Sequence, residues 1–245
     1  MEITKDSFVK NLISANHEVA GIFKNYGFDF CSIEQLSIED SCKREKYDDS
    51  IMNKLIVELR TIKSHSYSND KIDFSFWTLD SMIEYIEKEH HQFVKKQTPI
   101  LRDCLEKIEP VHSRLYGELS EISIISKEII GHSLSYIKKK ELLLFPHINN
   151  MLRLESSNEV LETPIFKSIK DFVNQTNTER NLLLEYFKQV AELSDEYTTP
   201  YKVCLNYELA FSILKKFEEK IRCQSYLEIN FLFKKAIELE KEIFK

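Results

Sequence analysis

Four long amphipathic segments dominate the chain from about residue 75 onward. Apolar residues recur in them every three or four positions, which is the period of a helix that buries one face. The pattern predicts helices over about 78–108, 112–152, 164–195 and 200–243, the first ending before Pro110 and the second kinked at Pro146. The connections after the second and third helices are short, which favours antiparallel neighbours. The predicted fold is therefore an all-α, up-down-up-down four-helix bundle.

Shorter helices are predicted ahead of the bundle. Residues 4–25 have the pattern of one or two short helices, with Gly27 as a C-terminal cap and residues 28–31 as a loop. A further turn is predicted from Ile38, and Ser50 is the candidate N-cap of a helix over 51–62. The division predicted is a small helical N-terminal domain over 1–63, a polar linker over 64–74 and the bundle over 75–245.

Polar residues interrupt the apolar stripe of every bundle helix. The stripe of the fourth helix reads Leu214, Phe217, Ile221, Gln224, Glu228, Phe231. The corresponding interruptions on the other helices are His91 on the first, Ser133, Tyr136 and Lys140 on the second, and Thr176 and Arg180 on the third. A single polar residue on a stripe usually lies at its edge and reaches water. Interruption on all four helices instead favours a polar cluster in the middle of the bundle, where cofactor and metal sites are built.

Composition and charge narrow the class of protein. The chain has 42% hydrophobic residues but only 4 Gly and 5 Pro, which disfavours sandwiches and barrels with many tight turns. A net charge of -6 gives no electrostatic basis for binding nucleic acid or an anionic membrane. We see neither a membrane-spanning run nor a signal peptide. The five cysteines are scattered and odd in number, so a reducing cytoplasm is expected.

Several stretches resemble one protein family. Residues 22–42, IFKNYGFDFCSIEQLSIEDSC, resemble the N-terminal domain of the iron-sulfur cluster repair di-iron proteins, the RIC family of ScdA/YtfE type. HHQFVKKQTP at 90–99 resembles the first bundle helix of that family, and KKELLLFPHI (139–148) and YLEINFLF (226–233) resemble the ends of the second and fourth. The resemblance implies a hemerythrin-like bundle that holds two irons and repairs iron-sulfur clusters under nitrosative or oxidative stress.

Matched position by position, most of the iron ligands implied by the resemblance are replaced. His91 stands at the ligand position of the first helix, with His90 beside it, and Glu228 stands at a carboxylate position of the fourth. The replaced positions are Tyr136, Lys140, Thr176 and Gln224. In the N-terminal motif Cys31 remains, while Ser32 stands where the family has a second cysteine. Cys31 is either a redox-active thiol or, in the interpretation we favour, a packed side chain.

A buried ammonium is the wrong charge for a metal site, so we expect Lys140 to substitute for the metals. Its charge should pair with Glu228 across the bundle, with Tyr136, Gln224, Thr176 and Arg180 completing the hydrogen bonds. An alternative is a displaced mononuclear site that includes His91 together with His132 and His147. We therefore expect a degenerate metal site with no cofactor, and iron as the alternative.

The functional prediction is a divergent relative of the repair proteins that is not an enzyme and acts by binding a protein partner or by forming a homodimer. Candidate exposed aromatic residues for self-association are Phe28, Phe30 and Trp77. One alternative is an iron-binding repair protein with a reduced or rearranged site. Another is a helical scaffold with a small-molecule pocket at the vacated position.

Overall fold

The computed structural model describes residues 3–15, 19–28, 33, 35–61, 73–156 and 166–244. Regular structure in these ranges is helical, apart from one isolated antiparallel bridge between Phe8 and Ser37. The predicted all-α class is confirmed. Within the described residues no helix is long and apolar enough to cross a membrane.

Among the described residues that precede the bundle, four short helices have defined ends: α1 (Val9–Ala15), α2 (Val19–Asn25), α3 (Ile38–Arg44) and α4 (Asp49–Thr61). Gly27 ends the second of them with φ 77°, a left-handed conformation that glycine adopts without strain. The prediction that Ser50 caps α4 is wrong. The helix begins at Asp49, two residues before the predicted start, and the Asp48 carboxylate accepts the Ile51 amide at 2.9 Å.

Four longer helical runs follow. The first bundle helix consists of α5 (Leu79–Tyr85), a π-helical segment (Ile86–His91) and α6 (Gln92–His112). The second consists of α7 (Glu118–Lys139), a π-helical segment (Lys140–Leu144) and α8 (Phe145–Ser156). The third is α9 (Ile169–Leu193). The fourth consists of α10 (Leu205–Leu227), a π-helical segment (Glu228–Leu232) and α11 (Phe233–Ile243).

The predicted helix ends differ from the observed ones mainly near prolines and loops. The first bundle helix does not stop before Pro110 but includes it and ends at His112. Glu106, four residues earlier, is exposed, so the carbonyl that loses its partner can be solvated. Consequently the second helix begins at Glu118 rather than near residue 112. The fourth begins at Leu205 rather than near 200, and the predicted start of the third, 164, lies outside the described residues.

The helices divide into two compact units. The first unit comprises Met1–Asp70, Lys96–Ser123 and Leu193–Lys216, and the second comprises Lys71–Lys95, Ile124–Glu192 and Phe217–Lys245. The predicted linker, 64–74, lies outside the described ranges except for Asp73 and Phe74, and the predicted domain division remains a prediction.

The second unit contains segments of all four bundle helices. The chain leaves this unit through the C-terminal ends of the first and third helices and returns through the N-terminal ends of the second and fourth. Helices that follow one another in the sequence therefore run antiparallel. Its apolar core includes Met82, Leu144, Ile169 and Leu232, each fully buried. The predicted four-helix bundle is confirmed.

Candidate functional site

A fully buried ion pair lies in the core of the second unit. The Lys140 Nζ atom is 2.6 Å from Glu228 Oε1, and both side chains have no exposed surface. Lys140 comes from the second bundle helix and Glu228 from the fourth. Burying two charges is expensive unless they are paired and hydrogen-bonded at short distance, which is the case here. The predicted Lys140–Glu228 contact is present.

Two further donors complete the coordination of the Glu228 carboxylate. The Tyr136 hydroxyl donates to Oε2 at 2.8 Å, and the Gln224 amide donates to Oε1 at 2.7 Å. The Lys140 Nζ atom also lies 3.8 Å from the centroid of the Tyr136 ring, within the range of a cation–π contact. Both carboxylate oxygens therefore accept hydrogen bonds from protein donors.

The His91 ring is held at both nitrogens. Its Nδ1 is 2.9 Å from Glu141 Oε1, and its Nε2 is 3.1 Å from Gln224 Nε2. The Gln224 nitrogen must be a donor, because its other contact is the Glu228 carboxylate. The His91 Nε2 lone pair therefore accepts from Gln224, and the ring carries its proton on Nδ1, which donates to Glu141. Phe145 stacks on the ring at a centroid distance of 5.7 Å.

Burial decides the protonation of these groups. It lowers the pKa of His91 to about 2, assisted by the positive charges of Lys140 and Lys95, so the ring is neutral. It raises the pKa of Tyr136 well above its usual value, which keeps the hydroxyl a donor toward Glu228. Burial also lowers the pKa of Lys140, while the adjacent Glu228 carboxylate acts in the opposite direction.

The third bundle helix contributes less than the sequence predicted. The Thr176 hydroxyl donates to carbonyls of its own helix, Phe172 O at 3.0 Å and Val173 O at 3.3 Å. Arg180 donates to the neighbouring Asn181 at 3.3 Å. The prediction that Thr176 and Arg180 complete the hydrogen bonds of the pair is wrong. A threonine in a helix can satisfy its hydroxyl one turn back. The positive charge of Arg180 acts on Tyr136 and Lys140, but its buried Nε makes no hydrogen bond to the pair.

The remaining candidate residues lie in different surroundings. His132 is within 3.9 Å of the Glu128 and Glu179 carboxylates, and His147 is 3.8 Å from Glu240. His90 is buried, and burial lowers its pKa to about 3. Its ring nitrogens are buried, and the Lys220 backbone, as a nearby hydrogen-bonding group, opposes the effect of burial on its pKa. Cys31 lies outside the described residues.

Sequence reasoning missed Glu141 and Lys95. The Glu141 carboxylate accepts a hydrogen bond from His91 and forms an ion pair with Lys95 at 2.6 Å. Glu141 therefore links the buried His91 ring to a lysine that is partly exposed to solvent. Neither residue belongs to an apolar stripe, so the stripe pattern does not predict that either one contacts the cluster.

The π-helical segments coincide with the polar cluster. His91 is the last residue of the first such segment, and Lys140 and Glu228 are the first residues of the other two. In each segment an amide binds the carbonyl five residues earlier: Gln92 to Glu87, Phe145 to Lys140, and Phe233 to Glu228. Single π turns inside α-helices are frequent at functional sites, and here they place the side chains of the cluster.

The donor set does not fit a pair of irons. A carboxylate-bridged di-metal centre in a bundle needs several carboxylates and imidazoles with open lone pairs. The described cluster offers one imidazole, whose lone pair accepts from Gln224, and one buried carboxylate, which accepts from three donors. No group of three or more His, Cys, Asp or Glu side chains suited to a metal ion is found among the described residues.

Comparison with known proteins gives consistent relatives. No protein-family model matches the chain. It is 26% identical over 234 residues to the iron-sulfur cluster repair protein ScdA of Staphylococcus epidermidis, covering 96% of this chain and 99% of that one. It is 25% identical to ScdA of Staphylococcus haemolyticus, covering 95% and 99%. It is 24% identical to the iron-sulfur cluster repair protein YtfE of Yersinia pseudotuberculosis, covering 88% and 90%.

Proposed function

We propose that this chain, a homologue of the iron-sulfur cluster repair proteins ScdA and YtfE, serves the repair of iron-sulfur clusters without a di-iron centre of its own, through contacts with other proteins. No catalytic step is assigned to the bundle. The cytoplasm, where such clusters are assembled and damaged, is the compartment this role implies.

One observation carries the proposal. Each surviving ligand position is occupied by a protein donor where a metal would bind: Gln224 at the His91 lone pair, and Lys140, Tyr136 and Gln224 at the Glu228 carboxylate. An ammonium inside the cluster repels a metal cation and already neutralises the carboxylate. A bound iron would have to displace these donors and leave the Lys140 charge buried without a partner, which costs several kcal/mol.

Exposed apolar side chains of the second unit support a protein-binding role. Phe76 is 89% exposed, Tyr226 57% and Ile229 40%. Aromatic residues are enriched in the centre of protein interfaces. Two of the three aromatic residues predicted to be exposed pack within the chain. The prediction of exposure is wrong for Phe28, which is 4% exposed, and Trp77 is only partly exposed. Phe28 is buried against Phe23 and Tyr47, and Trp77 packs on Phe74 and Tyr85. Phe30 lies outside the described residues.

The alternative function is an iron-binding repair protein with a reduced or rearranged site. His132, with two carboxylates within 3.9 Å, is the observation that favours it. The other sequence-based alternative, a small-molecule pocket at the vacated position, stays a prediction.

Reactivation of a damaged iron-sulfur enzyme tests the proposal. Extract from cells that lack the chain is treated with an oxidant, and recovery of a [4Fe–4S] dehydratase is followed after adding purified protein. We expect wild type and the double variant Lys140→Met/Glu228→Leu to restore activity equally, because the cluster performs no chemistry. Loss of reactivation in a folded double variant, or failure of wild type to stimulate recovery, would contradict the proposal.

A further inference from the structure

A cysteine and a histidine form a contact in the first unit that the proposed function does not use. The Cys204 Sγ atom is 3.4 Å from His112 Nε2, a hydrogen-bonding distance for sulfur. Both side chains are partly exposed. Cys42 and Cys104, in contrast, are buried free cysteines. An imidazole next to an accessible thiol is the arrangement that activates cysteine nucleophiles.

The two residues occupy helix ends of opposite polarity. Cys204 immediately precedes α10, and its carbonyl accepts the amides of Tyr207 at 2.9 Å and Glu208 at 3.3 Å. It therefore stands directly before the N-terminal end of a 23-residue helix, where the helix dipole favours a negative charge. His112 is the last residue of α6, where the dipole favours a positive charge. Each side chain therefore lies at a helix end whose dipole suits the charge of its ionised form.

Neighbouring groups hold the imidazole and complete its electrostatic surroundings. The His112 ring stacks on Tyr116 at 6.4 Å and meets the edge of Tyr207 at 5.5 Å. Burial, with Tyr116 and Glu118, raises the pKa of Tyr207 to about 12, so this phenol stays protonated and does not compete as a base. Glu208, one turn into α10, is paired with Lys10 at 3.1 Å, so its charge is neutralised.

We propose that Cys204 is a modification site, a nucleophilic thiol activated by His112 that is oxidised by hydroperoxides. The Cys204 thiolate donates an electron pair to one oxygen of hydrogen peroxide, forming an S–O bond as the O–O bond breaks. The departing hydroxide takes the proton held by the His112 imidazolium and leaves as water. The sulfur is oxidised to a sulfenic acid and the peroxide is reduced.

The chain carries its own control thiol. Cys223 lies on the same helix, near its C-terminal end, and is exposed, whereas Cys204 is only partly exposed. If accessibility alone governed reactivity, Cys223 would react faster. If His112 and the helix end activate Cys204, the order is reversed at mildly acidic pH, where an ordinary thiol is almost fully protonated.

Peptide-resolved mass spectrometry tests this on the full chain. Iodoacetamide labelling at pH 6.5 is expected to modify Cys204 roughly tenfold faster than Cys223, because the rate follows the thiolate fraction. Hydrogen peroxide followed by dimedone is expected to label Cys204 first. In His112→Phe, which keeps the ring packing, and His112→Gln, which keeps a polar side chain, the Cys204 rate should fall while the Cys223 rate is unchanged. Faster labelling of Cys223 in wild type, or an unchanged Cys204 rate in the folded His112→Phe variant, would overturn the proposal.

Discussion

Glu228 is a carboxylate without contact to water whose oxygens accept from an ammonium, a phenol and an amide. The Lys140 ammonium neutralises its charge, and the two hydrogen bonds satisfy lone pairs that water would otherwise fill. The pair therefore stabilises the fold only while both of its charged side chains are present. Each charge is tolerated because the other is present, and removing one partner should be far worse than removing both.

A double-mutant cycle measures this dependence. Lys140→Met should lower the free energy of unfolding by about 3–5 kcal/mol, because it leaves the Glu228 carboxylate buried without a counter-charge. Lys140→Met/Glu228→Leu should recover most of that loss, since both polar groups are gone. Urea unfolding followed by circular dichroism provides the values.

Lys139 offers a matched control for the cycle. Its Nζ is 2.6 Å from Glu179, but the side chain is 46% exposed. Lys139→Met should therefore change stability by no more than about 1 kcal/mol. A Lys140→Met variant as stable as Lys139→Met would contradict the account of the buried pair.

Because two histidines are buried in the neutral form, we expect the free energy of unfolding to decrease as the pH is lowered. The pKa values of His90 and His91 are lowered to about 3 and about 2 in the folded state, whereas the unfolded chain titrates near its ordinary value of 6.5. Below pH 6.5 the unfolded state therefore binds protons that the folded state does not. Stability is fully present above that pH and is lost as pH falls. Between pH 7.5 and 5 each buried histidine should remove about 2 kcal/mol.

His90 provides the variant for this prediction. It contacts the Tyr85 ring edge at 5.5 Å, so His90→Phe preserves an aromatic contact while removing the titrating group. Between pH 7.5 and pH 5 the free energy of unfolding should fall by about 2 kcal/mol less in the variant than in wild type. Equal slopes would show that His90 titrates alike in the folded and unfolded chains.

At the scale of helices, the π-helical segments change the register of the apolar stripe. The predicted stripe of the fourth helix holds through Phe217, Ile221, Gln224 and Glu228. Beyond Glu228 the stripe predicts that Phe231 is buried. In the structure Leu232 and Phe233 are buried instead, and Phe231 is only partly buried. A π turn adds one residue to the turn, which shifts every later side chain around the helix axis. The same shift in the second bundle helix buries Leu144 rather than Leu143.

A cap donated by another helix should stabilise the start of α9. The Glu240 carboxylate, on α11, accepts the Ile169 amide at 2.9 Å and 3.2 Å, which satisfies a free amide at the helix N-terminus. Glu240→Ala should lower the free energy of unfolding by about 1–2 kcal/mol, the usual worth of an N-cap. Glu242→Ala removes an equal charge from an exposed position two residues later and should have little effect. Thermal or urea unfolding distinguishes the two, and equal effects would argue against the cap.

The sequence was sufficient for part of the site and insufficient for the rest. Spacing of four residues placed Tyr136 and Lys140 on one side of the second helix, and Gln224 and Glu228 on one side of the fourth. The match of these positions to the ligand positions of the resembled family then predicted that Lys140 and Glu228 would meet. Thr176 and Arg180 were placed on the correct face, but the choice of a hydrogen-bond partner depends on side-chain rotamers that no periodicity encodes. The His91–Glu141 contact depends on the π turn that begins at Lys140, which has no pattern of its own.

At the scale of the whole molecule, the bundle has a polar centre that, under the proposed function, holds no metal. Similarity to ScdA extends over 96% of the chain, so the fold is shared from one end of the alignment to the other. Lys140 supplies a positive charge at the centre of the bundle from within the chain. A fixed ammonium neutralises Glu228 as a metal cation would, but it adds no redox chemistry and cannot be lost to a chelator.

Ferrous iron binding by the full chain tests the central claim most directly. Anaerobically purified wild type is titrated with Fe(II), beside the variant Tyr136→His/Lys140→Glu/Thr176→His/Gln224→His, which restores imidazoles and a carboxylate at the replaced positions. Bound iron is counted after gel filtration. We predict no stoichiometric iron in wild type, and iron in the variant if it folds. About two irons per wild-type chain, the content of an intact di-iron bundle, would contradict the account.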